Sequence, residues 1–84
     1  MTMKREKRIN NFKTADLALA AALSVVGFPV EEMEQMDARR FVFIFSDNPE
    51  LQKEIKKYWL GELKVVPQTY FNQLKVLKAR IYER

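Results

Sequence analysis

A chain of 84 residues with 48% hydrophobic residues and a formal net charge of +4 has room for one domain around one modest core. It contains no cysteine and no histidine. Disulfides, thiolate metal sites, cysteine nucleophiles, the usual zinc ligands and the usual general base near neutral pH are thereby excluded, and a reducing cytoplasm is the expected location.

In chain order, residues 1–10 carry Lys4, Arg5, Lys7 and Arg8 against Glu6, with Met3 and Ile9 as apolar anchors. This pattern predicts a flexible basic tail. No apolar core follows it at once and Asp16 interrupts the approach to Leu17, so a signal peptide is not expected. Asn11 to Thr14 reads as a short extended approach, and Thr14 is the expected N-cap of a helix over about 15–26, with Asp16 placed well for the helix dipole. Leu19, Leu23 and Val26 give that helix its stripe, and the alanines at 18 and 20–22 allow close packing. Gly27 and Pro29 end it. The apolar stretch around Ala18 to Phe28 is about half of the roughly 20 residues a spanning helix needs, so no membrane partner is expected.

Residues 30–46 read as a hairpin. Its first strand alternates Val30, Glu32, Glu34 and Met36 with Glu31, Met33 and Gln35, and suits an exposed edge, an irregular loop being the alternative. A link at Asp37-Ala38-Arg39 leads into Phe41-Val42-Phe43-Ile44-Phe45. That run is aromatic on one face and β-branched on the other, which predicts a central strand buried on both sides. Asn48-Pro49-Glu50 is a strong helix start. The helix over about 49–60 is expected to bury Leu51, Ile55, Tyr58 and Trp59, to keep Lys53, Lys56 and Lys57 outside, and to stop at Gly61.

Leu63 to Val66 reads as a short strand or an extended linker. Pro67 opens a last helix over about 67–82, with Tyr70, Leu74, Leu77 and Ile81 as its apolar line, Phe71 and Ala79 beside them, and Gln68, Asn72, Gln73, Lys75, Lys78 and Arg80 on the other side. No internal repeat or low-complexity segment is present. The expected architecture is therefore α+β: a small antiparallel sheet, made of the 30–46 hairpin and short strands near 11–14 and 63–66, packed with three helices in one domain over 11–84.

Three stretches carry a resemblance: Phe12-Lys13-Thr14-Ala15-Asp16-Leu17-Ala18-Leu19-Ala20-Ala21-Ala22-Leu23, then Gly27-Phe28-Pro29, then Arg39-Arg40-Phe41-Val42-Phe43-Ile44-Phe45. With the late segment from Tyr70 to Arg80, they make residues 11–82 similar to a family of small uncharacterised bacterial domains, a domain of unknown function. The resemblance implies a shared fold and a bacterial or mobile-element origin, and it brings no catalytic residue, cofactor or partner with it.

For chemistry, Glu31, Glu32, Glu34 and Asp37 are the candidates for magnesium or acid–base work. They sit on an expected exposed segment with no phosphate-binding loop beside them, so a solvated acidic edge is the simpler reading. Both glycines fall at expected helix ends, leaving no glycine-rich cradle. No enzymatic activity, cofactor or metal is expected. Nucleic acid, DNA or RNA, is the first partner class: Lys53, Lys56, Lys57, Lys75, Lys78 and Arg80 would contact phosphates if the second and third helices lie side by side. Ordinary solubilising lysines are the plain alternative. Lys56-Lys57-Tyr58-Trp59 mixes bases with aromatics as single-strand binders do, although packing of Tyr58 and Trp59 in the core accounts for it more simply. The second partner class is protein, a second copy of the chain included, reached through an exposed edge strand.

Overall fold

The computed structural model describes residues 11–83, and the basic segment expected as a tail at 1–10 lies outside them. The elements are β1 (Asn11–Thr14), α1 (Leu17–Val25), β2 (Glu32–Gln35), β3 (Phe41–Ser46), α2 (Pro49–Trp59) and α3 (Pro67–Tyr82). The sheet has the order β1-β3-β2 with both pairings antiparallel. The fold is α+β, three helices on a small antiparallel sheet, with the aromatic run at the centre of the sheet as its composition requires.

Register fixes which side chains share a face. Phe12 lies opposite Phe45, Thr14 and Met33 both lie opposite Phe43, and Gln35 lies opposite Phe41. Phe43, Phe45 and Met33 then join Leu19, Ala20, Ala21 and Leu23 of α1, Leu51 and Ile55 of α2 and Leu77 of α3 in one buried cluster. All three helices thus contribute to the core on the phenylalanine face. Val42 and Ile44 point the other way and lie outside that cluster. On their side stand Lys13 and Glu32 opposite Ile44, and Glu34 opposite Val42. Ile44 is still only 5% exposed, while Val42 is half-buried. The strand is thus buried on both sides at Phe43, Ile44 and Phe45, as expected, but unequally: helices cover the phenylalanine face, and long polar side chains border the other. Lys13 Nζ and Glu34 Oε1, 3.8 Å apart, bridge the two flanking strands there.

Local sequence explains the helix ends. Asp16, not Thr14, is the N-cap of α1: its Oδ1 accepts from the Leu19 amide at 3.1 Å. Thr14 acts one step earlier, its Oγ1 accepting from the Asp16 amide at 3.0 Å, and Asp16, expected only to complement the helix dipole, takes the cap. Asn48 caps α2 through Oδ1 and the Leu51 amide at 2.8 Å, with Pro49 in the first turn. The C-termini of α1 and α2 close in the same way. Gly27 and Gly61 adopt φ of 108° and 74°, and the amides of Phe28 and Glu62 reach back to the carbonyls of Leu23 and Lys57 at 2.9 and 2.8 Å. That geometry needs a residue free to take positive φ.

Of the two connections, one follows expectation and one departs from it. The hairpin link is closed by the Met36 amide on the Arg40 carbonyl at 2.8 Å, which encloses Asp37-Ala38-Arg39 as expected. Residues 63–66 form no strand; they are an extended connection between α2 and α3. Leu63 and Val65 are half-buried and Lys64 and Val66 exposed, so the alternation that resembles a strand in the sequence records a segment lying over the surface with one side inward.

α1 has nine residues, too short to persist alone, and it is apolar around nearly its whole circumference, with Leu19 to Leu23 all buried. Such a helix is stable only when surrounded. It packs against α3 and, less extensively, α2, whereas α2 and α3 form no comparable contact with each other. Truncating Phe43 to Ala should lower unfolding stability by about 3–5 kcal/mol, whereas Val42→Thr on the outer face should cost under about 1 kcal/mol. Urea midpoints of the two variants check this, and equal losses would contradict the one-sided core.

Candidate nucleic-acid interface

The bases singled out from the sequence are all exposed, but they do not form one surface. Lys53, Lys56 and Lys57 lie on α2, and Lys75, Lys78 and Arg80 on α3. With α1 packed between, the side-by-side placement of the second and third helices that would unite them is not found. Their electrostatic surroundings differ as well. Lys57 Nζ is 3.6 Å from Glu54 Oε2. Arg80 lines an open depression with Glu31, Glu32, Met33 and Glu83, so its charge stands among carboxylates. Lys53, Lys56, Lys75 and Lys78 have no ion pair among the described residues.

Aromatic side chains alter the picture more than the lysines do. Trp59, expected in the core, is 65% exposed. Leu51, Ile55 and Tyr58 already fill the arc of α2 that faces the core, and each further residue turns about 100° around the axis, which carries Trp59 onto the flank shared with Lys56. It is held there edge-on to Tyr58, ring centroids 5.0 Å apart at 85°. Phe71, expected beside the apolar line of α3, is 59% exposed, and Ala79 is exposed too. Leu60 and Val66 add apolar surface at 61% and 62% exposed on the connection between the two helices.

The inner partners of these rings fix the geometry of the junction. The Tyr70 hydroxyl donates to the Ala18 carbonyl at 3.3 Å, joining the start of α3 to the start of α1. Burial, and then the charges of Asp16 and Tyr70, push the Tyr58 phenol above its ordinary pKa. Tyr58 and Tyr70 are the anchored members of the Tyr58-Trp59 and Tyr70-Phe71 pairs, and Trp59 and Phe71 are the outward ones.

Three of the four acidic candidates are occupied with structure. The Ser46 hydroxyl donates to Glu31 Oε2 at 2.8 Å, Glu34 pairs with Lys13, and Asp37 Oδ1 accepts from the Arg39 and Arg40 amides at 2.9 and 2.8 Å. Among the described residues no group of three or more Asp or Glu is arranged to hold a metal ion, and no helix is long and apolar enough to cross a membrane. The Arg39 amide foremost, with the Arg40 amide and the Arg40 charge behind it, holds the Asp37 carboxyl below its ordinary pKa against a smaller opposing effect of desolvation.

Sequence reasoning missed Phe71, Tyr82 and Arg39. The signal for the first two was present: each follows directly on a core residue of α3, Tyr70 and Ile81, and so falls about 100° off the buried line. Arg39 could not be found that way, because its position depends on how the hairpin meets α3; it lines an open depression with Tyr82, Ile81 and Phe41.

Because the folded-state pKa of Asp37 is depressed, the turn it anchors should be fully formed above the ordinary carboxylate range and should loosen only as pH falls through the lowered value. An NMR titration should show an Asp37 midpoint below that of an unstructured aspartate, with the Arg39 and Arg40 amide shifts following it. A midpoint at or above the unstructured value would contradict the anchored turn.

Comparison with curated proteins and with solved structures gives no match. A family model does match, over residues 9–83, and takes in every strand and helix described above; the chain belongs to the family described as Domain of unknown function (DUF5659).

Proposed function

We propose that this protein is a non-enzymatic accessory protein of the bacterial or mobile-element cytoplasm that binds nucleic acid through exposed lysines and aromatic rings on α2 and α3. The observation that carries the reading is Trp59, 65% exposed on a helix flank it shares with Lys56. Exposing an indole forgoes a large apolar burial, and a ring in water beside a cation matches what a nucleic acid offers: a base to stack on and a phosphate to neutralise. The division of charge supports it, with Lys56, Lys75 and Lys78 away from the carboxylates of Glu31, Glu32 and Glu83 that gather near Arg80. Arg80 and Lys57 accordingly contribute less than the other bases singled out from the sequence.

A second reading rests on Leu60 and Val66, whose exposed side chains beside Trp59 would suit a protein partner or a second copy of the chain. Solution mass and a binding titration separate the two.

Trp59 is the sole tryptophan, so intrinsic fluorescence reports on the site without a label. Addition of an oligonucleotide at low salt should quench the emission, with affinity falling steeply as salt rises. Unchanged emission and no retention at low salt, together with a dimeric mass, would replace the nucleic-acid reading by the self-association reading.

A further inference from the structure

Resting on the nucleic-acid reading, we infer that α3 carries a short single-strand track, formed by Phe71, Lys75, Lys78 and Tyr82 and extended at its far end by Arg39. Each helical member follows immediately on a core residue: Tyr70, Leu74, Leu77 and Ile81 are succeeded by Phe71, Lys75, Lys78 and Tyr82. Spacing by four, three and four residues keeps a set on one side of a helix. The inner set is buried or half-buried; the outer set, turned about 100° around the axis, is exposed at all four positions. Phe71 is 59% and Tyr82 83% exposed.

The order along this stripe is ring, cation, cation, ring. Neither Lys75 nor Lys78 has an ion pair among the described residues, and no acidic residue belongs to the stripe. Glu83, the nearest in sequence, lines the depression of Glu31, Glu32 and Arg80 instead. At its C-terminal end the stripe meets the hairpin, where Arg39 and Tyr82 line one depression. Asp37, the acid of the hairpin turn, accepts the amides of Arg39 and Arg40 and lies 3.8 Å from Arg40 Nε. The charge complement of this face is therefore a polyanion, and its two terminal rings call for a polyanion that also presents planar faces.

An unpaired nucleic-acid strand meets both requirements, because its bases are free to stack on Phe71 and Tyr82 while its phosphates pass Lys75 and Lys78. In a duplex the bases already stack on each other, and the rings would have no partner. The eleven steps from Phe71 to Tyr82 span about 16 Å at the α-helical rise. That length accommodates roughly five nucleotides at the stacked spacing of 3.4 Å per strand, and fewer once bases splay.

The test is fluorescence anisotropy with labelled oligo(dT) and oligo(U) of increasing length, against a duplex of the same length, across a salt series. Four proteins are compared: wild type, Phe71→Ala/Tyr82→Ala, Lys75→Gln/Lys78→Gln, and Lys13→Gln, whose site lies on the outer face of the sheet beside Glu34. All substituted side chains are exposed, and thermal melts confirm that folding is retained. Affinity should stop rising sharply with length at about five nucleotides and should favour the single strand over the duplex. The double ring variant should bind at least roughly tenfold more weakly at every salt concentration, the double lysine variant should have a salt slope shallower by about 1.4, and Lys13→Gln should behave as wild type. Full affinity in both stripe variants, in a protein that does bind oligonucleotides, would overturn the track and leave the nucleic-acid reading intact. Absence of wild-type binding at low salt would overturn both. Preference for duplex, or a dimeric mass abolished by Phe71→Ala/Tyr82→Ala without oligonucleotide binding, would also overturn the track.

Discussion

The phenylalanine face of β3 has to be kept dry, and α1 gives the largest share of the buried helix side chains that join it in one cluster. Its alanines at 20, 21 and 22 leave the backbone close to its neighbours, and Leu19 and Leu23 reach the cluster around Phe43 and Phe45. A helix so short and so uniformly apolar cannot face water. It therefore takes cover from α2 on one side and α3 on the other, and this arrangement determines the rest of the molecule. The outer helices are held apart, each spends one stripe on the core, and the remaining surface of each is left to polar, basic and aromatic side chains.

That constraint explains why a basic C-terminal half does not produce one basic surface. Lysines on α2 and α3 are separated by the helix that both of them shield. Arg80 turns toward the carboxylates at the start of β2, while Lys75 and Lys78 turn away from them. What distinguishes the outward faces is less their charge than their rings. Trp59, Phe71 and Tyr82 stay in water although the fold half-buries a neighbour, Tyr58, Tyr70 or Ile81, within one residue of each. A protein that needed only solubility would have no use for them there, and this gives the nucleic-acid reading its weight over a plain solvated surface.

Much of the architecture is legible in the residues because its signals are local. Asn48-Pro49 and the two glycines mark helix ends by hydrogen-bonding and backbone constraints that act within a turn, and the aromatic alternation of 41–45 marks the central strand. What escapes is set by tertiary placement. Thr14 and Asp16 are both competent caps, and only the path from β1 into α1 decides between them. Leu63 to Val66 alternates as a strand would, yet it crosses the surface between helices and meets no strand edge. For the candidate site, the exposure of the lysines could be read from the helical period, but their grouping could not, since it depends on which helix lies between which. Assignment of Trp59 to the core went astray by a single position: three residues already filled the buried arc of α2.

Oligonucleotide contact at the ring-and-lysine faces of α2 and α3 is the central proposal for this protein. Chemical-shift mapping on isotopically labelled protein, with a short single strand added at low salt, measures this directly. The largest perturbations should fall at Lys56, Trp59, Phe71, Lys75, Lys78 and Tyr82, with Arg39 following and Val42 and Ile44 on the outer sheet face unmoved. Perturbations centred on β2 or the outer sheet face, or none at all, would contradict it.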